Sequence, residues 1–301
     1  MKRFFVLLLF LSVVSVGAIG QTDGEVTEEQ IRQAEQGQLN LMTRPFWNLE
    51  FGTFGSMMVD VKAIRADGEQ RATIRVSTLF PGDSQLTLTR IDFLSPQALA
   101  GDVYIIRTDE DDRRTSDVWF WNPGLVSALK IDGKFELFGD AGVLETIGLR
   151  IVTSSKYLVT DRHFSDVVPD VPAPEYMVRV PTGGVFVERV IKEAPLAEIY
   201  VEPIEARRET EPFPMIKTFA FLSGDLYKIE FMDADGDLIH THHYDWREFE
   251  IMVLNGFEFK FVREYTIENH LIAGNFTTLT IKSIESNQLT LDDFDPELLG
   301  Q

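Results

Sequence analysis

The stretch Asp117-Val-Trp-Phe-Trp-Asn-Pro123 decides how this chain folds. It lies between a polar run, Thr108 to Ser116, and a second apolar run, Leu125 to Ile131. Successive side chains of an extended strand point to opposite faces, so Trp119 and Trp121 share one side and Val118 and Phe120 the other. Pro123 lacks a backbone donor and ends the strand. A strand apolar on both faces must be covered by protein on both sides, or one face must line something apolar that is not protein. Coverage on both sides would make it a central core strand, the ordinary fate of aromatic side chains.

The surrounding pattern is β throughout. Met57 to Ala66, the turn Asp67-Gly68, and Ala72 to Phe80 read as a hairpin. In its second arm Ala72, Ile74, Val76 and Phe80 alternate with Arg71, Thr73, Arg75 and Ser77, giving one buried and one wet face. After Pro81-Gly82-Asp83, Leu86 and Leu88 hold even positions, and then the apolar phase flips to Ile91 and Phe93. A β-bulge explains the flip; an Arg90 side chain turned toward the apolar face is the alternative. Further strands are expected at Val103–Arg107, Phe135–Phe138, Phe186–Ile191, Glu198–Val201, Ile216–Leu222, Leu226–Met232, Leu238–Tyr244, Glu248–Leu254, Phe257–Val262 and Thr277–Ile284. So many strands with regular turn signals predict a large curved antiparallel sheet or barrel. Helices are few. Residues 26–42 form one, with Thr27 as N-cap and Gln30 three residues on. Gly139 to Arg150 is a second, and Asp292 to Leu299 a short last one. Pro169, Pro172, Pro174 and Pro181 mark residues 167–181 as a loop or lid.

Lys2 and Arg3 precede an apolar run from Phe4 to Val16, with small residues at Gly17, Ala18 and Gly20. Residues 1–20 are therefore expected to be a cleaved secretion signal, the run being short of the ~20 residues a membrane span needs. No later segment reaches spanning length, so residues 21–301 are expected to form one soluble domain, a monomer. The chain has no cysteine, which excludes disulfides, thiolate chemistry and lipidation on an N-terminal cysteine. A formal net charge of -20 argues against nucleic acid and anionic membrane surfaces as partners. An apolar fraction of 44 % with 23 phenylalanines is enough for a substantial core. There is no internal repeat.

Catalytic chemistry has few starting points. His240 and His242 share a face of one strand, next to His243, and could ligate a metal with Asp237 or Asp245, the basis for a metal-dependent hydrolase. Histidines at this spacing are more often exposed polar residues, so no metal or other cofactor is expected. Asp233, Asp235 and Asp237 resemble a calcium loop, but Leu238 and Tyr244 stand where that loop needs Gly and Glu, so they mark a hairpin turn. No nucleophile elbow, phosphate loop or dinucleotide fingerprint is present, and no enzyme is expected. Apolar rows fit a binding role instead: Ile74/Val76, Leu86/Leu88, Trp119/Trp121, Phe219/Phe221, Ile229/Phe231 and Phe257/Phe259 are the candidate lining of a hydrophobic cavity on the inner side of the sheet.

Three segments carry a resemblance. Phe93-Leu-Ser-Pro96 is followed by Gly101 and a strand; Asp117-Val-Trp-Phe-Trp-Asn-Pro123 is the most specific; and the C-terminal series runs through Thr277–Ile284, Asn287 and Leu291-Asp-Asp-Phe294. Together these resemble the periplasmic lipoprotein carrier and its outer-membrane lipoprotein-sorting relatives, the LolA-like proteins. The resemblance implies an unclosed, half-barrel antiparallel sheet with helices as a lid over a hydrophobic cavity. It implies a carrier of lipoprotein or other lipid acyl chains, loaded by an inner-membrane exporter and unloaded at an outer-membrane acceptor. A sensor or exporter accessory using the same fold for protein binding is the alternative. The carrier's lid-holding strand arginine has only Arg75 and Arg90 as candidates here, by strand location. Phe138-Gly-Asp-Ala-Gly142 keeps only part of the segment that follows the Trp strand in many relatives.

Overall fold

The computed structural model describes residues 26–41, 55–79, 86–109, 117–131, 136–138, 141–142, 157–170, 176–182, 185–191, 195–209, 211, 213–254, 257–285 and 288–299. The expected secretion signal and the turns at 81–83, 132–133 and 255–256 lie outside these residues.

Helix α1 (Glu28–Leu41) is followed by β1 (Ser56–Arg65), β2 (Gly68–Leu79), β3 (Leu86–Ser95), β4 (Val103–Asp109), β5 (Asp117–Trp121) and β6 (Leu129–Ile131). Next come β7 (Glu136–Phe138), β8 (Ala141–Gly142), β9 (Tyr157–Phe164), β10 (Tyr176–Thr182), β11 (Val185–Ile191) and β12 (Leu196–Pro203). The remaining strands are β13 (Met215–Phe221), β14 (Leu226–Met232), β15 (Leu238–Leu254), β16 (Phe257–Asn269) and β17 (Phe276–Glu285).

Thirteen of these strands form one antiparallel sheet in the order β6-β5-β4-β3-β2-β1-β17-β16-β15-β14-β13-β12-β9. The chain meanders outward from β1 to β6, starts again at the far edge with β9, and returns through β12 to β17, which pairs with β1. β6 and β9 do not pair with each other, so the sheet is an open one and not a closed barrel. The helix begins as its sequence predicts: the Thr27 amide donates to Gln30 Oε1 at 2.9 Å, and the Gln30 amide donates to Thr27 Oγ1 at 3.3 Å. This reciprocal pair satisfies two helix-end donors. Ala34 of α1 packs on the core, and the helix lies against β9 and the β10–β11 hairpin.

Directly opposed residues of an antiparallel pair share a face, so the register assigns every strand residue to one side. Met57, Val59 and Val61 oppose Val76, Ile74 and Ala72; Ile74 and Val76 oppose Phe93 and Ile91; Ile91 opposes Tyr104, and Tyr104 opposes Phe120. These residues belong to one buried cluster that continues across the sheet; their side is the core face. Leu86, Leu88, Arg90, Ile105, Trp119 and Trp121 lie on the other, outer face.

Four expectations change. The phase flip in β3 is not a bulge, because β3 and β4 pair without a register shift from Leu86 to Asp92, and Arg90 turns to the same apolar face as Leu86 and Leu88, the alternative reading. Leu86 and Leu88 instead serve the outer face and Ile91 and Phe93 the core face, both sides being covered at this end. Residues 167–181 are not all loop: Tyr176–Thr182 pairs with Val185–Ile191, and Pro181, opposite Phe186, is tolerated in a two-stranded hairpin that leaves one edge open. Ala141–Gly142 pairs with β7 where a helix was expected from Gly139, and residues 143–150 lie outside the described set. Asp292 to Leu299 is two 3-10 turns, Leu291–Phe294 and Pro296–Leu298, because Asp295, restricted by the proline after it, is extended.

Candidate functional site

The core face is a largely apolar, buried surface. One register row crosses seven strands as Ala63, Thr277, Ile267, His242, Ile229, Thr218 and Ile199. The next row places Ile216, Phe231 and His240 side by side. All these side chains are buried. Phe213 covers the second row, its ring 4.6 Å from that of Phe231. Tyr244 and Tyr265 stack at 5.8 Å on the same face, and burial raises the pKa of both phenols.

The histidines are the main surprise of this face. His240 and His242 are 6 % and 1 % exposed, against the expectation of exposed polar residues. Their period-2 spacing puts both in the core, where the Phe231 ring lies 4.8 Å from that of His242. Burial, helped by the neighbouring His240 and His243, pushes the His242 imidazole down to a pKa of about 3. It is therefore neutral at ordinary pH, and its Nε2 has no hydrogen-bond partner among the described residues. His243 points to the outer face, 3.7 Å from Glu268. Among the described residues no group of three or more His, Asp or Glu is arranged to hold a metal ion. The Asp233 carboxylate accepts from the amides of Asp235 and Asp237, both at 2.9 Å, which makes this segment the expected hairpin turn.

The candidate lining residues do not form one wall. Ile74, Val76, Ile229 and Phe231 share the core face. Leu86, Leu88, Trp119 and Trp121 share the outer face near the β6 edge. Phe219 also points outward, between the ammonium groups of Lys217 and Lys228, which stand 4.9 Å and 4.2 Å from its ring centre. Phe221 ends β13 opposite Leu196 and meets Tyr227 edge-on. Phe257 and Phe259 lie in β16, with side chains outside the described set. Sequence alternation identified which residues are apolar but not which face each strand gives to the core, because both faces are apolar around β3–β5.

The outer face of β3–β5 is covered by the C-terminal segment from Leu291 to Leu299. Leu299 packs with Val103, Ile105, Trp119 and Trp121. Arg90 fixes the segment: its Nε donates to Asp92 at 2.9 Å while its Nη1 donates to the Asp293 carbonyl at 3.0 Å. Of the two candidate lid arginines, Arg90 thus holds a segment down on the outer face, whereas Arg75 is exposed. Between segment and sheet lies a cavity of about 680 Å³, floored by Leu86, Leu88 and Trp119 and edged by Arg107, Asp292, Asp295 and Glu297.

An open antiparallel sheet with a helix packed at one end is the LolA-like fold, and solved structures bear this out. The chain matches a domain from Vibrio parahaemolyticus assigned to outer membrane lipoprotein-sorting proteins, at a TM-score of 0.62 and 14 % identity, over 89 % of this chain and 100 % of that one. It matches a DUF1329 family protein from Desulfovibrio piger at a TM-score of 0.60 and 12 % identity, over 89 % and 96 %. It matches a LolA superfamily protein from Nitrosomonas europaea at a TM-score of 0.54 and 14 % identity, over 87 % and 96 %. No family model matches the sequence, and no curated protein does. No helix among the described residues is long and apolar enough to cross a membrane.

Proposed function

We propose that this chain is a non-enzymatic periplasmic carrier that holds the acyl chains of lipoproteins or other lipids against its core face, for transfer toward the outer membrane. The observation that carries this reading is the largely apolar core face of an open sheet, interrupted by Thr218, Thr277 and the neutral His242. Ile74, Val76, Ile229 and Phe231 are the contacts it assigns to the acyl chain. Burying one methylene is worth about 0.8 kcal/mol, so a chain of ordinary length supplies on the order of 10 kcal/mol before the cost of confining it. The leader at 1–20 would direct export, an inner-membrane exporter would load the carrier, and an outer-membrane acceptor would unload it. Likeness of fold to the sorting-protein domain and the LolA superfamily protein supports the same reading.

A second reading, a sensor or exporter accessory that binds protein, is favoured by the close filling of the core face by Tyr157, Phe213 and Phe231. Titration with a fluorescent fatty acid separates the two. Saturable binding at one site, unchanged in a Trp121→Ala variant because that indole faces outward, supports the carrier. No uptake by the folded protein sinks it in favour of the accessory.

A further inference from the structure

We infer that the outer-face cavity beneath the C-terminal segment is a docking site for a partner protein, which inserts an apolar side chain flanked by lysine or arginine in an extended peptide segment. This site is on the side of the sheet opposite the proposed acyl-binding surface and stands independently of it. Three observations converge on the occupant.

The first is size and floor. About 680 Å³ lies between sheet and segment, within the ordinary range of binding pockets, and Leu86, Leu88 and Trp119 form its bottom. That volume suits one or two large apolar side chains with their backbone. The surface beside it is also unusually apolar for a chain of net charge -20. Leu291, Leu298 and Val126 are 58 %, 42 % and 99 % exposed, and each lies in or next to a segment that lines the cavity. Clustered exposed aliphatics of this kind mark interaction surfaces.

The second is charge. Asp292, Asp295 and Glu297 stand on the segment side of the cavity. Trp119 already carries an ammonium, Lys130 Nζ, 5.6 Å from its ring centre, held by Asp117 at 2.6 Å. An apolar floor beside a carboxylate edge complements an apolar anchor with basic flanks, and it repels anionic lipid headgroups. A protein segment is favoured over a membrane on this ground.

The third is Arg107, in β4. Its side chain is exposed at the edge of the cavity. A guanidinium offers five fixed N–H donors, which suit the backbone carbonyls of an extended peptide crossing the cavity mouth. The cation therefore does not oppose a basic-flanked ligand, because it meets main chain and not the lysines.

The test uses the full-length mature protein and two synthetic nine-residue peptides, each with a central Leu-Phe pair, one flanked by lysines and the other by glutamates. Binding is followed by isothermal titration at low and high salt. The lysine peptide is expected to bind at least about tenfold more tightly than the glutamate peptide, with the gap closing at high salt as screening removes the carboxylate contribution. In an Asp292→Asn/Glu297→Gln variant the gap at low salt is expected to fall below about threefold, and a Ser127→Trp variant that fills the cavity is expected to lose both peptides. Equal binding of the two peptides, or binding of neither, overturns the inference. So does binding to phosphatidylethanolamine–phosphatidylglycerol vesicles that Ser127→Trp abolishes, since the cavity would then serve a membrane. The salt series on the unmodified protein decides the matter should a variant fail to fold.

Discussion

His242 links the stability of this fold to pH. Its imidazole is 1 % exposed on the core face, and burial lowers its pKa from 6.5 to about 3. In the unfolded chain the same group titrates near 6.5. Between these values the unfolded state binds the proton that the folded state refuses, so stability is fully present above pH 6.5 and is lost as pH falls. The two pKa values give a loss of about 2 kcal/mol between pH 8 and pH 5 from this one residue. The assay is urea unfolding of the wild type and a His242→Phe variant at both pH values. Phenylalanine keeps an aromatic ring beside Phe231 and does not titrate. Other titrating groups, including His243 and the many carboxylates, are common to both proteins and cancel in the difference. The wild type should lose about 2 kcal/mol more than the variant on acidification. Equal losses would show that His242 does not sit dry on the core face, and the assignment of faces around β15 would fall with it.

Arg90→Ala should free the C-terminal segment from β3, costing about 1–2 kcal/mol; amide exchange of residues 291–299 should quicken at least about tenfold while the central strands stay protected. Gly101→Ala should destabilise by about 1–3 kcal/mol, because φ is +95° there and the new Cβ would stand 3.0 Å from Pro123 Cγ; thermal unfolding reads this as a lowered Tm. Ile74→Ala, at a site with 0 % exposure, should cost about 2–5 kcal/mol by leaving a cavity; a loss under about 1 kcal/mol in urea unfolding would contradict its place at the core.

Much of the sheet was legible in the sequence because its signals are local. Asp67-Gly68 marked the β1–β2 hairpin, and Thr27 with Gln30 marked the start of α1. The double-sided Trp strand implied either protein cover on both faces or a non-protein apolar neighbour, and protein covers the Trp side. What covers the Trp side is Leu299, 178 residues after Trp121, and no local pattern reports a contact so distant in sequence. The same ignorance turned the outward Leu86 and Leu88 into an expected bulge. Strand β9, Tyr157-Leu-Val-Thr-Asp-Arg-His-Phe164, gives little sequence signal because it is an edge strand with many exposed polar positions, so its apolar alternation is weak. For the histidine pair residue type suggests solvent, while register, His242 in the row of Ile267 and Ile229 and His240 beside Phe231, places it in the core. For the candidate site, composition found the aromatic and aliphatic residues, and only the pairing of strands divided them between two faces.

The central claim is that the core face carries acyl chains. Native mass spectrometry of the protein isolated from producing cells, followed by organic extraction of bound material, tests it most directly. The carrier account predicts a stoichiometric added mass that resolves on extraction into an acylated lipid or lipopeptide. A clean apo mass, with no acyl material recovered and none taken up afterwards, would contradict it.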